Sequence, residues 1–155
     1  MVIATTVTRA ADMLSTARAY AASPDDWPFA PRFDPQRRWY GRLAVADDHE
    51  VWLLTWLPGQ GTDLHDHGGS GGAFTVYSGE IVEQTVRAGE LVNTAYTEGE
   101  GRRFGAHHVH RVVNTGTRPA VTVHAYGPAL TAMTRYRLHD GRLTVESITK
   151  AGADW

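Results

Sequence analysis

The chain has 155 residues, no cysteine and a formal net charge of −2 at pH 7. Its length fits one domain, and the absence of cysteine excludes disulfides, thiolate zinc sites and thiol nucleophiles. The small net charge gives no sign of nucleic-acid binding, and no apolar run is long enough to cross a bilayer. Because the N-terminus also lacks signal-peptide features, we expect a cytoplasmic protein without nucleic-acid or membrane partners, in which His, Asp or Glu would hold any metal.

The first predicted element is a helix over residues 5–22, where alanine is frequent and apolar residues recur at three- and four-residue steps. Four prolines between residues 23 and 37 then favour an irregular segment. Three aromatic residues within that segment, Trp27, Phe29 and Phe33, predict that it packs against the body of the protein.

From residue 38 onward, the sequence consists of short segments rich in β-branched and aromatic residues, separated by turn signals such as Ser78-Gly79. The predicted strands cover residues 39–46, 51–57, 74–77, 80–86, 91–97, 109–114, 120–126, 133–138 and 143–147. No helical segments alternate with these strands, which argues against a parallel α/β sheet. We therefore predict an all-β sandwich or barrel.

Two histidines one residue apart, His65 and His67, follow the strand predicted over residues 51–57. In an extended segment, residues i and i+2 point to the same face, so both imidazoles would reach one point. Imidazole is a good ligand for iron, zinc, copper and nickel. Two ligands hold a metal poorly, and the other candidates are the remaining histidines: His49, His107, His108, His110, His124 and His139.

The spacing of six residues resembles the two sequence motifs of the cupin superfamily: Gly59, His65, His67 and Gly79, then His110 and Asn114. The resemblance implies a small, jelly-roll-like cupin β-barrel with a metal inside, bound by His65, His67 and His110. It also implies a single cupin domain over residues 1–155, with the barrel over 38–155 and the helix and Pro-rich loop of 1–37 packed on it. His108 is a rival for the third ligand position, and His124 is a candidate fourth ligand.

The metal-binding glutamate of the cupin motif falls on Gly72 in this sequence. The usual non-haem oxygenase site combines two histidines with one carboxylate. Three neutral histidines would leave the charge of the metal uncompensated, which favours an anionic ligand such as a thiolate.

Four segments, residues 40–42, 56–67, 110–114 and 122–128, resemble the thiol dioxygenases, and among them the bacterial cysteine dioxygenases. In that family, ferrous iron on three histidines converts L-cysteine and O₂ to cysteine sulfinic acid. The resemblance implies Fe(II) as the cofactor and L-cysteine and O₂ as the small-molecule partners. Animal members carry, at the position of Gly72, a cysteine cross-linked to the tyrosine matched by Tyr126, and no such link can form here.

The same resemblance implies roles for five further residues. Arg42, supported by Tyr40, would bind the substrate carboxylate, which suits a guanidinium that donates two parallel hydrogen bonds. Thr122, His124 and Tyr126 would form a hydrogen-bonded catalytic relay, and they alternate along one predicted strand, so they share a face.

Other functions remain open at this point. A dioxygenase for 3-mercaptopropionate or another small thiol would keep the chemistry, although relatives that use 3-mercaptopropionate carry Gln at the position of Arg42, which favours cysteine. A non-catalytic cupin that binds a metal or a small molecule, or a metal-dependent isomerase or hydrolase, would not consume O₂. We expect the protein to be a monomer.

Overall fold

The computed structural model describes residues 12–150. One helix, α1 (Met13–Ala21), and a short 3₁₀ turn (Pro24–Asp26) precede eleven strands. The strands are β1 (Trp39–Val45), β2 (Glu50–Trp56), β3 (Leu64–His65), β4 (Gly71–Ser78), β5 (Glu80–Arg87), β6 (Glu90–Thr97), β7 (Gly101–Phe104), β8 (His110–Val113), β9 (Ala120–Gly127), β10 (Ala132–His139) and β11 (Arg142–Lys150). Within residues 12–150, no helix has the length and apolar character needed to cross a membrane.

The strands form two antiparallel sheets, one in the order β1-β2-β9-β4-β7 and the other in the order β11-β10-β3-β8-β5-β6. The predicted all-β, jelly-roll-like fold is therefore confirmed. Two strands were not predicted, β3 and β7: β3 has only two residues, and β7 carries two arginines and a glycine that mask its extended character.

One hydrophobic core lies between the two sheets. Its largest buried members are aromatic, and β4, β5, β8 and β9 each contribute side chains that point inward. The core comprises Trp56, Phe74, Val76, Ile81, Phe104, Val112, Ala120, Tyr126 and Leu130. Since residues i and i+2 of a strand share a face, this inward face of β9 also carries the polar side chains Thr122 and His124.

A second core covers the outer face of the five-stranded sheet. Ala17 of α1 is buried against this face, and Trp27 and Phe29 of the Pro-rich segment pack there with it. Strands β2 and β9 are thereby covered on both faces, which explains why every residue of β9 before Gly127 is buried. Phe33 was expected to join this packing, but it is 43% exposed and is not part of this core.

The helix begins at Met13, so the part of the prediction that falls on residues 5–11 lies outside the described residues. Asp12 is the N-cap, and its side chain accepts a hydrogen bond from the backbone N–H of Leu14. The same carboxylate forms a two-point ion pair with Arg103 of β7, at 2.7 and 2.9 Å. Asp12 therefore both starts the helix and fastens it to the sheet edge.

Candidate metal centre

Three buried imidazoles, those of His65, His67 and His110, converge inside the barrel. Their ring centroids are 4.8–5.0 Å apart, and each ring offers a nitrogen within 4.8 Å of the others. His65 and His110 are direct partners across β3 and β8. The third imidazole belongs to a residue beyond the end of β3, so His65 and His67 do not lie on one continuous strand as expected.

The turn that carries His67 is fixed by the residue between the two histidines. Asp66 accepts hydrogen bonds from the backbone N–H of Gly68 and Thr134 and from the hydroxyl of Tyr136. Gly68 has a φ of +59°, and a Cβ at this position would lie 2.4 Å from the carbonyl oxygen of Ala132. Strand β10 thus anchors the turn, which leaves both histidines free to point inward.

Hydrogen bonds define which nitrogen of two rings faces the centre. Nδ1 of His65 donates to the carbonyl oxygen of Asp63 at 2.8 Å, and Nδ1 of His110 donates to Glu83 at 2.8 Å. In both neutral rings Nε2 then carries the lone pair that a metal requires. Among the described residues, neither ring nitrogen of His67 has a hydrogen-bond partner, although both are buried.

The protonation state of these rings also suits a metal. Burial lowers the pKa of His65 and His67 well below the usual histidine value, and it lowers the pKa of His110 despite the nearby Glu83. Metal ligation needs neutral imidazole. Three neutral, buried rings, one of them with two unsatisfied nitrogens, therefore fit a divalent metal bound by histidine alone.

A buried carboxylate behind the centre was missed by the sequence analysis. Glu83 of β5 is fully buried and accepts hydrogen bonds from His110 and His108, each at 2.8 Å, and from Arg102 at 2.7 Å. Burial by itself raises the pKa of Glu83, but the interactions with His108, His110 and Arg102 together outweigh it and hold the pKa well below its usual range. The signal was an acidic residue two positions after Ile81, on the inward face of a strand.

His108, the rival for the third ligand position, is placed differently from His110. Its Nε2 is taken by Glu83, and its ring stacks on Phe104 with centroids 5.1 Å apart. It does not belong to the group formed by His65, His67 and His110.

The residues predicted as a relay form a hydrogen-bonded chain in the core. Nε1–H of Trp56 donates to the hydroxyl oxygen of Thr122 at 2.9 Å, and that hydroxyl lies 2.8 Å from Nε2 of His124. Nδ1 of His124 lies 3.2 Å from the hydroxyl of Tyr126. All three relay residues are buried.

The indole donor at the start of this chain sets the donor and acceptor roles in the hydrogen bonds that follow. An indole N–H can only donate, so the oxygen of Thr122 accepts from Trp56 and its hydrogen is available to Nε2 of His124. Burial lowers the pKa of His124 to about 3, so its ring is neutral and carries its hydrogen on Nδ1. That hydrogen points to the oxygen of Tyr126, which leaves the phenol hydrogen free to be donated into the neighbouring cavity.

The cavity beside the histidines is small. The volume open to the centre of a water-sized molecule is about 50 Å³, which is several times the volume that one water needs. Its walls combine apolar side chains from both sheets with the polar groups of the site: Arg38, Tyr40, Trp52, Leu54, Trp56, Thr62, His65, His110, Val112, His124, Tyr126, Leu130 and Met133. None of these described lining residues is acidic, so the cavity suits a small, anionic or neutral ligand.

The two arginines near the start of β1 occupy different surroundings. Arg42, the predicted carboxylate anchor, is not among the lining residues, and its side chain is 52% exposed with Nη1 3.8 Å from the carboxylate of Glu50. Tyr40 lines the cavity as expected, and so does Arg38, which the sequence analysis did not consider. The role of Arg42 in substrate binding stays a prediction, and its position outside the cavity does not support that role.

Gly72 lies on β4 directly opposite Tyr126 of β9. A Cβ at this glycine would be 2.6 Å from the carbonyl oxygen of Ala125 and 2.9 Å from the ring of Phe104. That ring also stacks on His67, with centroids 4.7 Å apart. The space next to Tyr126 and His67 is thus filled by a phenylalanine from β7.

Comparison with known proteins gives a consistent picture. A model of the family described as cysteine dioxygenase type I matches residues 2–139. Human cysteine dioxygenase type 1 is 27% identical over 128 residues, which cover 71% of this chain and 60% of the human protein. The chain therefore matches less than two thirds of the length of this curated relative.

Solved structures with low sequence identity share the fold. A protein from Thermus thermophilus superposes with a TM-score of 0.58 at 19% identity, covering 78% of this chain and 99% of its own. A cupin superfamily protein from Desulfitobacterium hafniense gives 0.51 at 14% identity, covering 61% of this chain and 81% of its own. These similarities support a cupin-type barrel.

Proposed function

The chain belongs to the cysteine dioxygenase type I family, and we propose that it is an iron(II)-dependent dioxygenase that oxidises L-cysteine with O₂ to cysteine sulfinic acid. The observation that carries the proposal is the convergence of three buried, neutral histidines beside a cavity of small-molecule size. The overall change is RSH + O₂ → RSO₂H, so both oxygen atoms enter the product and no external reductant is needed.

We assign His65, His67 and His110 as the ligands of the metal. Iron(II), when bound, would supply the one-electron chemistry that allows a thiolate to react with O₂. A ligand set without a carboxylate favours binding of an anionic thiolate, since it does not neutralise the charge of the metal. The side chains of the chain would bind, orient and desolvate the thiol.

Tyr126 would act on the reacting thiol through its hydroxyl, with His124 and Thr122 as positioning residues. Because the oxygen of Tyr126 accepts from His124, its own hydrogen is available to a group in the cavity. Burial raises the pKa of Tyr126 well above its usual value, so the phenol keeps its proton at neutral pH. A fixed donor of this kind stabilises developing negative charge on sulfur or oxygen.

The apolar walls of the cavity would exclude water from the reaction. Trp52, Leu54, Val112 and Leu130 line it from both sheets and from the segment after β9, and a small thiol between them would be largely desolvated. Electrostatic contacts made by Tyr126 or an arginine become stronger when water is excluded.

The decisive experiment is O₂ uptake by protein that has been loaded anaerobically with Fe(II) and then mixed with L-cysteine. We expect one cysteine sulfinate per O₂ consumed, with the product identified by NMR. Metal-free protein and a His67→Ala variant serve as controls and should consume no O₂.

Other outcomes of this experiment would refute the assignment. A higher kcat/KM for 3-mercaptopropionate than for L-cysteine would change the substrate, because specificity is the ratio of these values. Absence of sulfinate with every thiol, together with zinc in the natively purified protein, would favour a binding cupin or a hydrolase.

A further inference from the structure

We propose that Arg38, and not Arg42, binds the carboxylate of the substrate; this inference rests on the proposed function in that the ligand is a carboxylated thiol. The two arginines lie four residues apart: Arg38 directly precedes β1, and Arg42 is in the middle of that strand. They are matched in chemistry and differ in surroundings, so the structure itself distinguishes them.

Arg38 lines the same cavity as His65, His124 and Tyr126. Its guanidinium carbon lies 5.2 Å from the ring centroid of Trp56, which also faces the cavity. A guanidinium stacked on an indole can still donate hydrogen bonds from its edge. The cation therefore lies in the wall of the cavity where the anionic end of a small ligand can reach it.

The electrostatic surroundings of Arg38 also favour an anionic ligand. Burial lowers the pKa of its guanidinium, which means that the cation is incompletely solvated in the folded protein. An arginine nevertheless stays protonated at neutral pH. No acidic residue lines the main cavity in the described part of the chain, although Asp63 borders a smaller neighbouring pocket together with Arg38. A carboxylate in the cavity would supply negative charge that its walls lack.

Arg42 lies outside the cavity, near a second buried carboxylate. Glu50 is 4% exposed, and it accepts a hydrogen bond from the backbone N–H of Leu130 at 2.8 Å. Its other oxygen lies 3.8 Å from Nη1 of Arg42. Since a buried carboxylate needs a counter-charge, Arg42 has a structural function that accounts for its position.

Face alternation along β1 does not distinguish Arg42 from Arg38. Arg38, Tyr40 and Arg42 are each two residues apart, so simple alternation would place all of them on one face. Arg42 pairs with Trp52 across β1 and β2, and the register shifts directly after Arg42. The guanidinium of Arg42 lies 5.8 Å from the Trp52 ring centroid, and the indole, not the guanidinium, lines the cavity.

The test compares Arg38→Gln and Arg42→Gln with two thiols, L-cysteine and cysteamine, which differ by the carboxylate. Binding is measured without O₂ on Co²⁺-loaded protein, from the thiolate-to-cobalt charge-transfer absorption, and kcat/KM is measured on Fe²⁺-loaded protein. For Arg38→Gln we expect cysteine to bind about 10- to 100-fold more weakly, as for loss of one charge-assisted contact, with cysteamine binding unchanged. For Arg42→Gln we expect unchanged binding of both thiols and a lower Tm, because Glu50 loses its counter-charge.

The opposite pattern, weak cysteine binding in Arg42→Gln and normal binding in Arg38→Gln, would overturn the inference. If Arg38→Gln does not fold, as judged by circular dichroism, Arg38→Lys decides: it keeps the charge and loses the two-pronged contact, so cysteine binding should weaken and cysteamine binding should not. Unchanged cysteine binding in that variant also refutes the role. Failure of the proposed function is distinguishable, because it would appear as wild-type protein that binds cysteine through Arg38 and forms no sulfinate.

Discussion

Glu83→Gln is the substitution that tests most directly how the protein prepares its metal centre. The change is nearly isosteric, and it removes the charge that two histidines and Arg102 share. The amide can still accept hydrogen bonds through its oxygen, but its NH₂ group opposes the N–H of one partner. The hydrogen bond that directs Nε2 of His110 towards the other two histidines would become a weaker, neutral one.

Two consequences can be estimated from the contacts of Glu83. Partners of a metal-binding histidine contribute about 10- to 100-fold to metal affinity, and we expect a loss of that size. In the metal-free protein, two charge-assisted bonds from His108 and His110 become neutral, at a cost of about 1 kcal/mol each in the free energy of unfolding. The contact with Arg102 adds little, because the arginine side chain is 35% exposed and is screened by solvent.

Metal affinity would be measured by competition with a chromophoric chelator, and stability by urea unfolding of the metal-free protein. Glu80→Gln is the matched control, since Glu80 is exposed on the same strand. If Glu83→Gln and Glu80→Gln bound the metal equally well, Glu83 would have no role in preparing His110. A loss of stability without a loss of affinity would likewise reduce Glu83 to a packing residue.

Three further predictions concern other parts of the structure. Tyr126→Phe should lower kcat about 100-fold with unchanged metal content, as for loss of one positioned donor, and full activity in this variant would refute the relay. Because burial lowers the pKa of His124 from 6.5 to about 3, the unfolded chain takes up this proton at higher pH than the folded protein. The neutral His124 therefore contributes its full share to the free energy of unfolding above pH 6.5, and this contribution is lost as the pH falls from 6.5 towards 3. Metal-free wild type should lose about 3 kcal/mol more than His124→Gln between pH 7 and pH 4 in urea unfolding, and equal losses would contradict this. The hydrogen bond from Arg103 lowers the pKa of Asp12 to about 2. The ionised Asp12 therefore stabilises the folded protein fully above pH 3.8, and this stabilisation is lost as the pH falls through 2. At pH 7 Asp12→Ala should lower Tm more than Asp12→Asn, which keeps the helix N-cap acceptor, and the reverse order would exclude a capping role.

The fold was predictable because most of its strands have a local signature. Strand β9 has three β-branched residues in a row, Val121, Thr122 and Val123, and a turn such as Asp140-Gly141 connects the two strands of a hairpin. Strand β3 could not be found in this way, since two residues carry no periodicity and only pairing with β8 and β10 defines the strand. The helix prediction was correct in type for the described part, Met13–Ala21.

The same distinction separates the predicted parts of the site from the missed ones. His65 and His67 were recognisable because their spacing is local, and His110 because it lies in a motif with Asn114. Glu83 reaches His110 only through the pairing of β5 with β8, which no local pattern encodes.

The arginines show a further limit of sequence reasoning. Face alternation treats Arg38 and Arg42 alike, but in the structure Arg38 lines the cavity, whereas Arg42 is half exposed and lies 3.8 Å from Glu50 on the neighbouring strand. Neither placement is encoded in the local sequence around the two arginines.

The close packing of Gly72 against Phe104 opposes a side chain at position 72. A cysteine introduced at position 72 would collide with the phenylalanine ring and with the backbone of β9, so both would have to move before a bond to Tyr126 could form. A smaller residue at position 104 would relieve only the contact with the ring, because the 2.6 Å approach to the carbonyl oxygen of Ala125 would remain. A smaller residue at position 104 would also remove one of the two rings stacked on His67, so a tether at Tyr126 would come with looser packing around that histidine.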